Sequence, residues 1–253
     1  MVQAPVIWKI KRVSDQFRMS IESNIAQIKE RLAQAARRAG RNPDGIVLMA
    51  VSKTVESERI RQAYSAGLRI FGENRVQEFA EKAPALDDLP GIDWHLIGHL
   101  QSNKAKRAAE LFHRVDSVDS VRLAQRLEAA ARQMGKVLPV LIEINVGGEE
   151  SKSGIAEDSP ELEALLQEAQ KWGHVQVHGL MTIPPYTDDP EGARPYFRRL
   201  RNLRDHIHAR RLPGVCMDVL SMGMSHDFEV AVEEGSTCVR VGTAIFGGRP
   251  LVQ

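Results

Sequence analysis

The sequence predicts a single α/β domain, a closed parallel (β/α)8 TIM barrel with an extra helix before its first strand. Three observations carry that expectation. Eight short apolar runs of strand length alternate with amphipathic stretches of helical period, and none is paired with the next as a tight hairpin, so the pairing is parallel. The chain has 253 residues, close to the ~250 that such a barrel takes up in one domain. The turn after the first strand, Ser52-Lys53-Thr54, contains no glycine, which speaks against the competing doubly wound open sheet with its glycine-rich first turn. No internal repeat, low-complexity tract or linker divides the chain.

Residues 1–18 mix Pro5, Trp8 and scattered charges without a clear period and read as a poorly ordered extension ahead of a domain at 19–253. Met19-Ser20 stands directly before the first strong helical pattern. Mass spectrometry of the endogenous N-terminus decides the hypothesis that translation starts at Met19. From Ile21 through Ile25, Ile28, Leu32, Ala35 and Ala39 the apolar residues fall three or four apart, which predicts the extra helix, closed by Gly40 and Pro43. Val47 to Thr54 is too brief an apolar run for a helix and predicts the first strand, ending at Lys53. Glu56 to Ala66 predicts a helix, Arg69 to Asn74 the second strand, Val76 to Lys82 a helix, and Asp93 to Gly98 the third strand. Asn103 to Leu111 predicts a helix, Arg114 to Ser117 a short fourth strand, and Val121 to Met134 a helix. Pro139 to Val146 is the clearest strand, followed by a loop through Gly147, Gly148 and Gly154. The remaining expectations are helix Leu162 to Trp172, strand Val175 to Met181, helix Pro195 to Ala209, strand Met217 to Met222, helix Asp227 to Glu234 and strand Thr237 to Val241.

Composition narrows the partners. With 34 basic against 33 acidic residues the formal charge is +1, so no global field recruits nucleic acid or an anionic membrane. Cys216 and Cys238 offer neither a disulfide framework nor a metal-ligand pair, which suits a reducing, cytoplasmic compartment. No stretch of eighteen apolar residues occurs, and the N-terminus lacks an unbroken apolar signal core.

In a barrel of this kind chemistry gathers at the strand ends. That mouth is expected to hold Lys53, Asn74, Gly98-His99, Ser117, Asn145, Met181-Thr182, the turn from Ser221 to Ser225 and the turn from Arg240 to Thr243. One amine, one arginine and many hydroxyls and glycines suit an anion better than acid-base chemistry by paired carboxylates. A desolvated lysine can form an imine with a carbonyl compound, but a lysine snorkelling from a strand edge satisfies the same pattern. Ser225 stands near the expected start of the following helix, where it can help bind phosphate or simply cap that helix. Val241-Gly242-Thr243 ends the eighth strand in a glycine and a hydroxyl, which lets backbone amides approach an anion.

Seven ordered segments carry a resemblance. They are Ala50 to Thr54, Phe71 to Asn74 with Val76-Gln77-Glu78, Trp94 to Lys104, Ser151-Lys152-Ser153-Gly154, His178 to Ile183, Leu220 to Ser225 and Val239 to Gly247. Over about Ile21 to Arg249 the chain resembles the pyridoxal phosphate homeostasis protein family, also called the YggS or PROSC family, which is related to the barrel domain of alanine racemases. The resemblance implies pyridoxal 5'-phosphate as cofactor, with Lys53 as the Schiff-base lysine and Arg240 at the pyridine nitrogen. It implies Ser225, Gly242 and Thr243 as the phosphate cradle and Asn74 beside the cofactor; Ser221 and Met181, at their strand ends, are secondary candidates. Arg75 and His226 depart from it, standing where a tyrosine and an aspartate are common.

The resemblance also bears on mechanism. Enzymes that exploit this cofactor fully place a carboxylate at the ring nitrogen, whereas an arginine cannot accept that proton and leaves a weak electron sink. With ten residues after Thr243, the racemases' second domain with its tyrosine base is expected to be missing, and a monomer is expected. Tyr64, Tyr186 and Tyr196 are not obviously aimed at the mouth. The leading expectation is a protein that holds pyridoxal phosphate and supplies it, with apo-enzymes as recipients; the alternative is an amino-acid racemase or related enzyme. Lys152, in the glycine-rich loop, is expected either to give the cofactor a second transient foothold or to be a solvated loop lysine. His95 and His99 on either side of Gly98 do not build a metal site, His178 reads as a satisfied interior histidine, and Arg198, Arg199, Arg201 and Arg204 as the solvated face of a helix.

Overall fold

The computed structural model describes residues 20–149 and 152–248, so the expected extension at 1–18 and Met19 lie outside the described residues. Ser20 opens the extra helix α1, Ile21–Arg38, by accepting the Ser23 N–H at 3.1 Å, and Gly40 leaves it at φ +66°. Its apolar stripe of Ile21, Ile25, Ile28 and Leu32 is buried.

Strand and helix then alternate: β1 Val47–Val51, α2 Ser57–Ser65, β2 Ile70–Glu73, α3 Val76–Lys82, β3 Asp93–Leu96, α4 Ala105–Leu111, β4 Arg114–Val118 and α5 Val121–Gln133. The second half continues with β5 Leu138–Glu143, α6 Pro160–Ala169, β6 Val175–Met181, α7 Arg194–Ala209, β7 Val215–Ser221, α8 Phe228–Glu233, β8 Cys238–Val241 and α9 Thr243–Phe246. All neighbours pair in parallel, and β8 closes on β1 with Met49 opposite Arg240, so the sheet has no edge. The expected barrel is the observed one.

Alternation along each strand divides the core in two. Leu48 and Ala50 of β1 face the helices with most of the core, while Met49 and Val51 turn inward to meet Ile97, Cys238, Ile70 and Val219. Gly72 keeps that interior open, since a Cβ there would stand 2.8 Å from Met49 Sδ. Deeper charges are paired: His95 Nδ1 lies 3.2 Å from Asp116 Oδ2, and His95 Nε2 lies 3.2 Å from Asp93 Oδ2. Burial works to lower the His95 pKa, but Asp116 and Asp93 outweigh it and hold it up at about 9.

Several boundaries and contacts differ from expectation. The short helix α9 and the 3₁₀ turns Pro43–Gly45, Ala83–Ala85, Ser102–Lys104 and Pro190–Ala193 were not legible as separate elements. His178 is half-buried, not interior, with Nε2 3.3 Å from Gln176 Oε1. The arginines of α7 are ion-paired as well as solvated: Arg198 and Arg201 meet Glu234, Arg199 meets Glu157, and Arg204 meets Asp205.

Candidate functional site

Lys53 stands two residues beyond β1, in a turn where Thr54 takes φ +60°. The ladder ends at Val51 opposite Gly72, and the Ser52 N–H still reaches the Gly72 carbonyl at 2.9 Å. Ser52 fixes the turn from behind, because its hydroxyl donates to Glu73 Oε1 at 2.7 Å while Lys82 Nζ donates to the same oxygen at 2.9 Å and to the Ser52 carbonyl at 3.0 Å. Lys53 therefore projects from a backbone held by a buried hydrogen-bonded pair.

Two recesses share Lys53 and Val51. One, of about 260 Å³, is lined by Lys53, Asn74, Gly98, Glu143, Lys152 and Arg240 among others. The other, of about 220 Å³, is lined by Lys53, Thr54, Arg59, Gly242, Thr243 and Gly247 among others. The ends of β1, β2, β3, β5 and β8 thus converge on one lysine, as the geometry of the barrel requires.

Arg240 points into the barrel and is almost fully buried. Its Nη1 donates to the Ser221 carbonyl at 2.6 Å and to Ser221 Oγ at 2.7 Å, and its Nη2 donates to the Thr182 carbonyl at 2.6 Å. Burial lowers its pKa, yet guanidinium starts so far above neutrality that the cation persists. Ser221 acts beneath the arginine, not on the cavity wall. Met181 is fully buried, and its carbonyl accepts the Ile144 N–H at 2.8 Å; it is not among the residues lining either recess.

The turns after β7 and β8 meet, as the mouth requires, through Ser225. Ser225 does not cap α8; Asp227 precedes that helix, and its Oδ1 accepts the Met224 N–H at 2.6 Å. The turn at Gly223, with φ +93°, carries the chain around before the helix begins. Ser225 Oγ instead accepts the Ala244 N–H at 3.4 Å, which ties it to the Gly242-Thr243 turn. Asn74 is placed by close packing: a Cβ on Gly98 would lie 2.3 Å from the Asn74 carbonyl oxygen.

Lys152 reaches the mouth, where its Nζ donates to the Pro184 carbonyl at 3.2 Å and pairs with Glu149 at 3.0 Å. Arg75 is exposed and paired with Glu78, and His226 lies beside Tyr186, its Nε2 3.1 Å from the Thr187 carbonyl. Glu143, at the end of β5, is not among the residues expected at the mouth. It is 6% exposed, its Oε2 has no hydrogen-bond partner among the described residues, and it lines the same recess as Lys53. Burial, then Asp119, raise its pKa to about 7 against the pull of Arg240 and His99. The signal was in the sequence: one carboxylate inside the most apolar strand, between Ile142 and Ile144. Among the described residues no group of three His, Cys, Asp or Glu could hold a metal ion, and no helix is long and apolar enough to cross a membrane.

Fold and site together define a barrel of the alanine racemase N-terminal-domain class, whose sequence profile matches residues 23–250. An alanine racemase of Clostridium difficile shares that fold at 14% identity and TM-score 0.68, with 92% of this chain covering 58% of the racemase chain. The chain belongs to the pyridoxal phosphate homeostasis protein family. It is 47% identical over 231 residues to the protein of that name from Aquifex aeolicus, which covers 91% of this chain and 99% of the relative, and 43% identical to that from Pseudomonas aeruginosa, with 91% and 96% covered. The structure of PipY from Synechococcus elongatus with pyridoxal phosphate bound matches at TM-score 0.78 and 36% identity, covering 90% of this chain and all of PipY.

Proposed function

We propose that this chain binds pyridoxal 5'-phosphate as a Schiff base on Lys53 and acts in the homeostasis and supply of that cofactor, not as an enzyme that uses it. The observation that carries the reading is Arg240. A buried guanidinium, oriented by Ser221 and Thr182, shares a recess with the lysine that would hold the aldehyde. The donor set fits the ligand: an amine at Lys53, a fixed cation at Arg240, and hydroxyls with glycine-bearing turns at Ser225, Gly242 and Thr243 for the phosphate. Asn74, packed against Gly98, would flank the ring. The cofactor supplies a reactive aldehyde and, where its ring nitrogen is protonated, an electron sink. Arg240 donates hydrogen bonds and accepts no proton, so the chain withholds the second of these. Lys152, on the rim of the same recess, is the candidate second amine during transfer to apo-enzymes. The names of the relatives support homeostasis over catalysis, and the PipY complex supports the ligand.

The test uses the purified chain and free cofactor. Mixing is expected to raise a visible absorption band, and borohydride followed by peptide mass spectrometry is expected to find the pyridoxyl mass on Lys53. Lys53→Ala is expected to do neither. Chiral chromatography after incubation with L-amino acids is expected to find no D-form above background. D-amino-acid production abolished by Lys53→Ala would overturn the supply reading in favour of a racemase, and label on another residue would overturn the site.

A further inference from the structure

We propose that Glu143 is the proton-transfer group for attaching and releasing the aldehyde at Lys53. The inference rests on the proposed cofactor reading and concerns what that reading leaves unused. Forming an imine requires a proton for the hydroxyl that departs as water, and breaking it requires a base for the attacking water. A group that performs both must reach the recess, carry a transferable proton near neutrality and not be consumed by a structural partner.

The recess contains few candidates. Lys53 is the nucleophile. Arg240 cannot give up a proton at neutral pH and is held by Ser221 and Thr182. Lys152 is engaged with Glu149 and the Pro184 carbonyl. His99 Nδ1 lies 3.0 Å from Asp119 Oδ2 on an exposed side chain. Glu143 is the only carboxyl among the described residues lining this recess, it is buried, and its Oε2 has no hydrogen-bond partner among the described residues. A buried carboxyl oxygen without a partner is costly unless a ligand, water or its own proton serves it.

Charged groups around it pull in both directions. Asp119, beyond β4, opposes ionisation, while Arg240 from β8 and His99 from beyond β3 favour it. Lys53 and Lys152 stand on the same wall, and from β6 the neighbours are the uncharged Met181 and Thr182. Burial outweighs the favourable cations and leaves the carboxyl titrating at about 7, the range in which one group is both acid and base.

The step balances within these residues. The neutral Lys53 amine adds its lone pair to the aldehyde carbon and passes one proton to the aldehyde oxygen. Glu143 gives its proton to the resulting hydroxyl, which leaves as water. The nitrogen's remaining proton moves to the Glu143 carboxylate as the C=N bond forms, so the carboxyl ends as it began. Release runs in reverse: Glu143 protonates the nitrogen and takes a proton from the incoming water.

The experiment follows the visible band by stopped flow for loading, and by capture of released cofactor for unloading, with affinity measured separately at equilibrium. A group that only transfers protons changes both rates and leaves affinity alone. Glu143→Gln, which keeps the shape, is expected to slow loading and release in parallel by about 100-fold, with Kd within about threefold of the parent. In the parent chain the loading rate is expected to inflect near neutrality, an inflection missing from the variant. Should Glu143→Gln fail to fold, restoration of Glu143→Ala loading by added formate is the second measurement. Rates within about threefold of the parent, a Kd change without parallel slowing, or no formate rescue in the fallback case would each overturn the proposal. A parent chain that gives no band at all would overturn the cofactor reading instead.

Discussion

Replacing Lys82 by methionine is the sharpest test of how the site is built, because Lys82 touches no ligand surface and acts only through Glu73 and Ser52. Glu73 is fully buried, and its Oε2 has no partner among the described residues, so Oε1 carries the hydrogen bonds to both the Lys82 ammonium and the Ser52 hydroxyl. Removing one partner of a buried ion pair costs about 3–5 kcal/mol, since the stranded charge keeps its desolvation penalty. The Lys82 side chain is 13% exposed, so some water reaches it and the lower end, about 3 kcal/mol, applies. For a chain of this size each kcal/mol lowers Tm by roughly 2–4 °C, which gives a fall of roughly 6–12 °C. Urea unfolding followed by far-UV circular dichroism measures the loss, and thermal melting checks it. Lys82→Met with Glu73→Gln, which removes the stranded charge, is expected to recover at least about half of it. A single variant that loses less than about 1 kcal/mol, or a double variant no more stable than the single, would refute the claim that this pair holds the Lys53 turn.

Two further outcomes are expected. His95 has its folded pKa raised to about 9 from 6.5, so its charged pairing stabilises the fold fully below about pH 6.5 and is lost as pH rises through about 9, a change of order 3 kcal/mol. Urea unfolding of the parent and of His95→Gln should therefore converge in stability between about pH 7 and pH 10; curves that stay parallel argue against a charged His95. Gly98→Ala puts a Cβ 2.3 Å from the Asn74 carbonyl, where backbone must move; a stability loss of about 1–3 kcal/mol and weaker pyridoxal phosphate affinity are expected, and titration of the visible band reads the second.

The barrel was legible because strand and helix periods alternate without interruption and no run is paired with its neighbour by a hairpin signal. Boundaries were less so. The expected strands run on to Thr54, Asn74 and Gly98, yet the ladders stop at Val51, Glu73 and Leu96 where the loops take over the backbone. Helix α9 stayed hidden because Thr243 to Phe246 is too short to show a helical period, although Gly242 marks the end of the strand before it. Lys53, Asn74, Lys152 and Arg240 could be placed at one mouth because each stands at or beyond a strand end. Glu143 could not, since a single carboxylate in an apolar strand has no period and the charged groups around it, Asp119, Arg240 and His99, are far away in sequence. Of the two readings of Ser225, the helix cap fails because the turn at Gly223 sets where α8 begins, and a glycine announces a turn without announcing its path.

Arg240 has a consequence for how loading proceeds in time. Its guanidinium is gripped by two carbonyls and a hydroxyl belonging to β7 and the end of β6, so its rotamer is already chosen by the sheet. A ligand arriving over the barrel meets a donor that has no conformational entropy left to lose. Under the proposed Schiff base at Lys53, this side chain would need no new rotamer on filling, and the pace of exchange would fall to bond making and proton movement at the lysine.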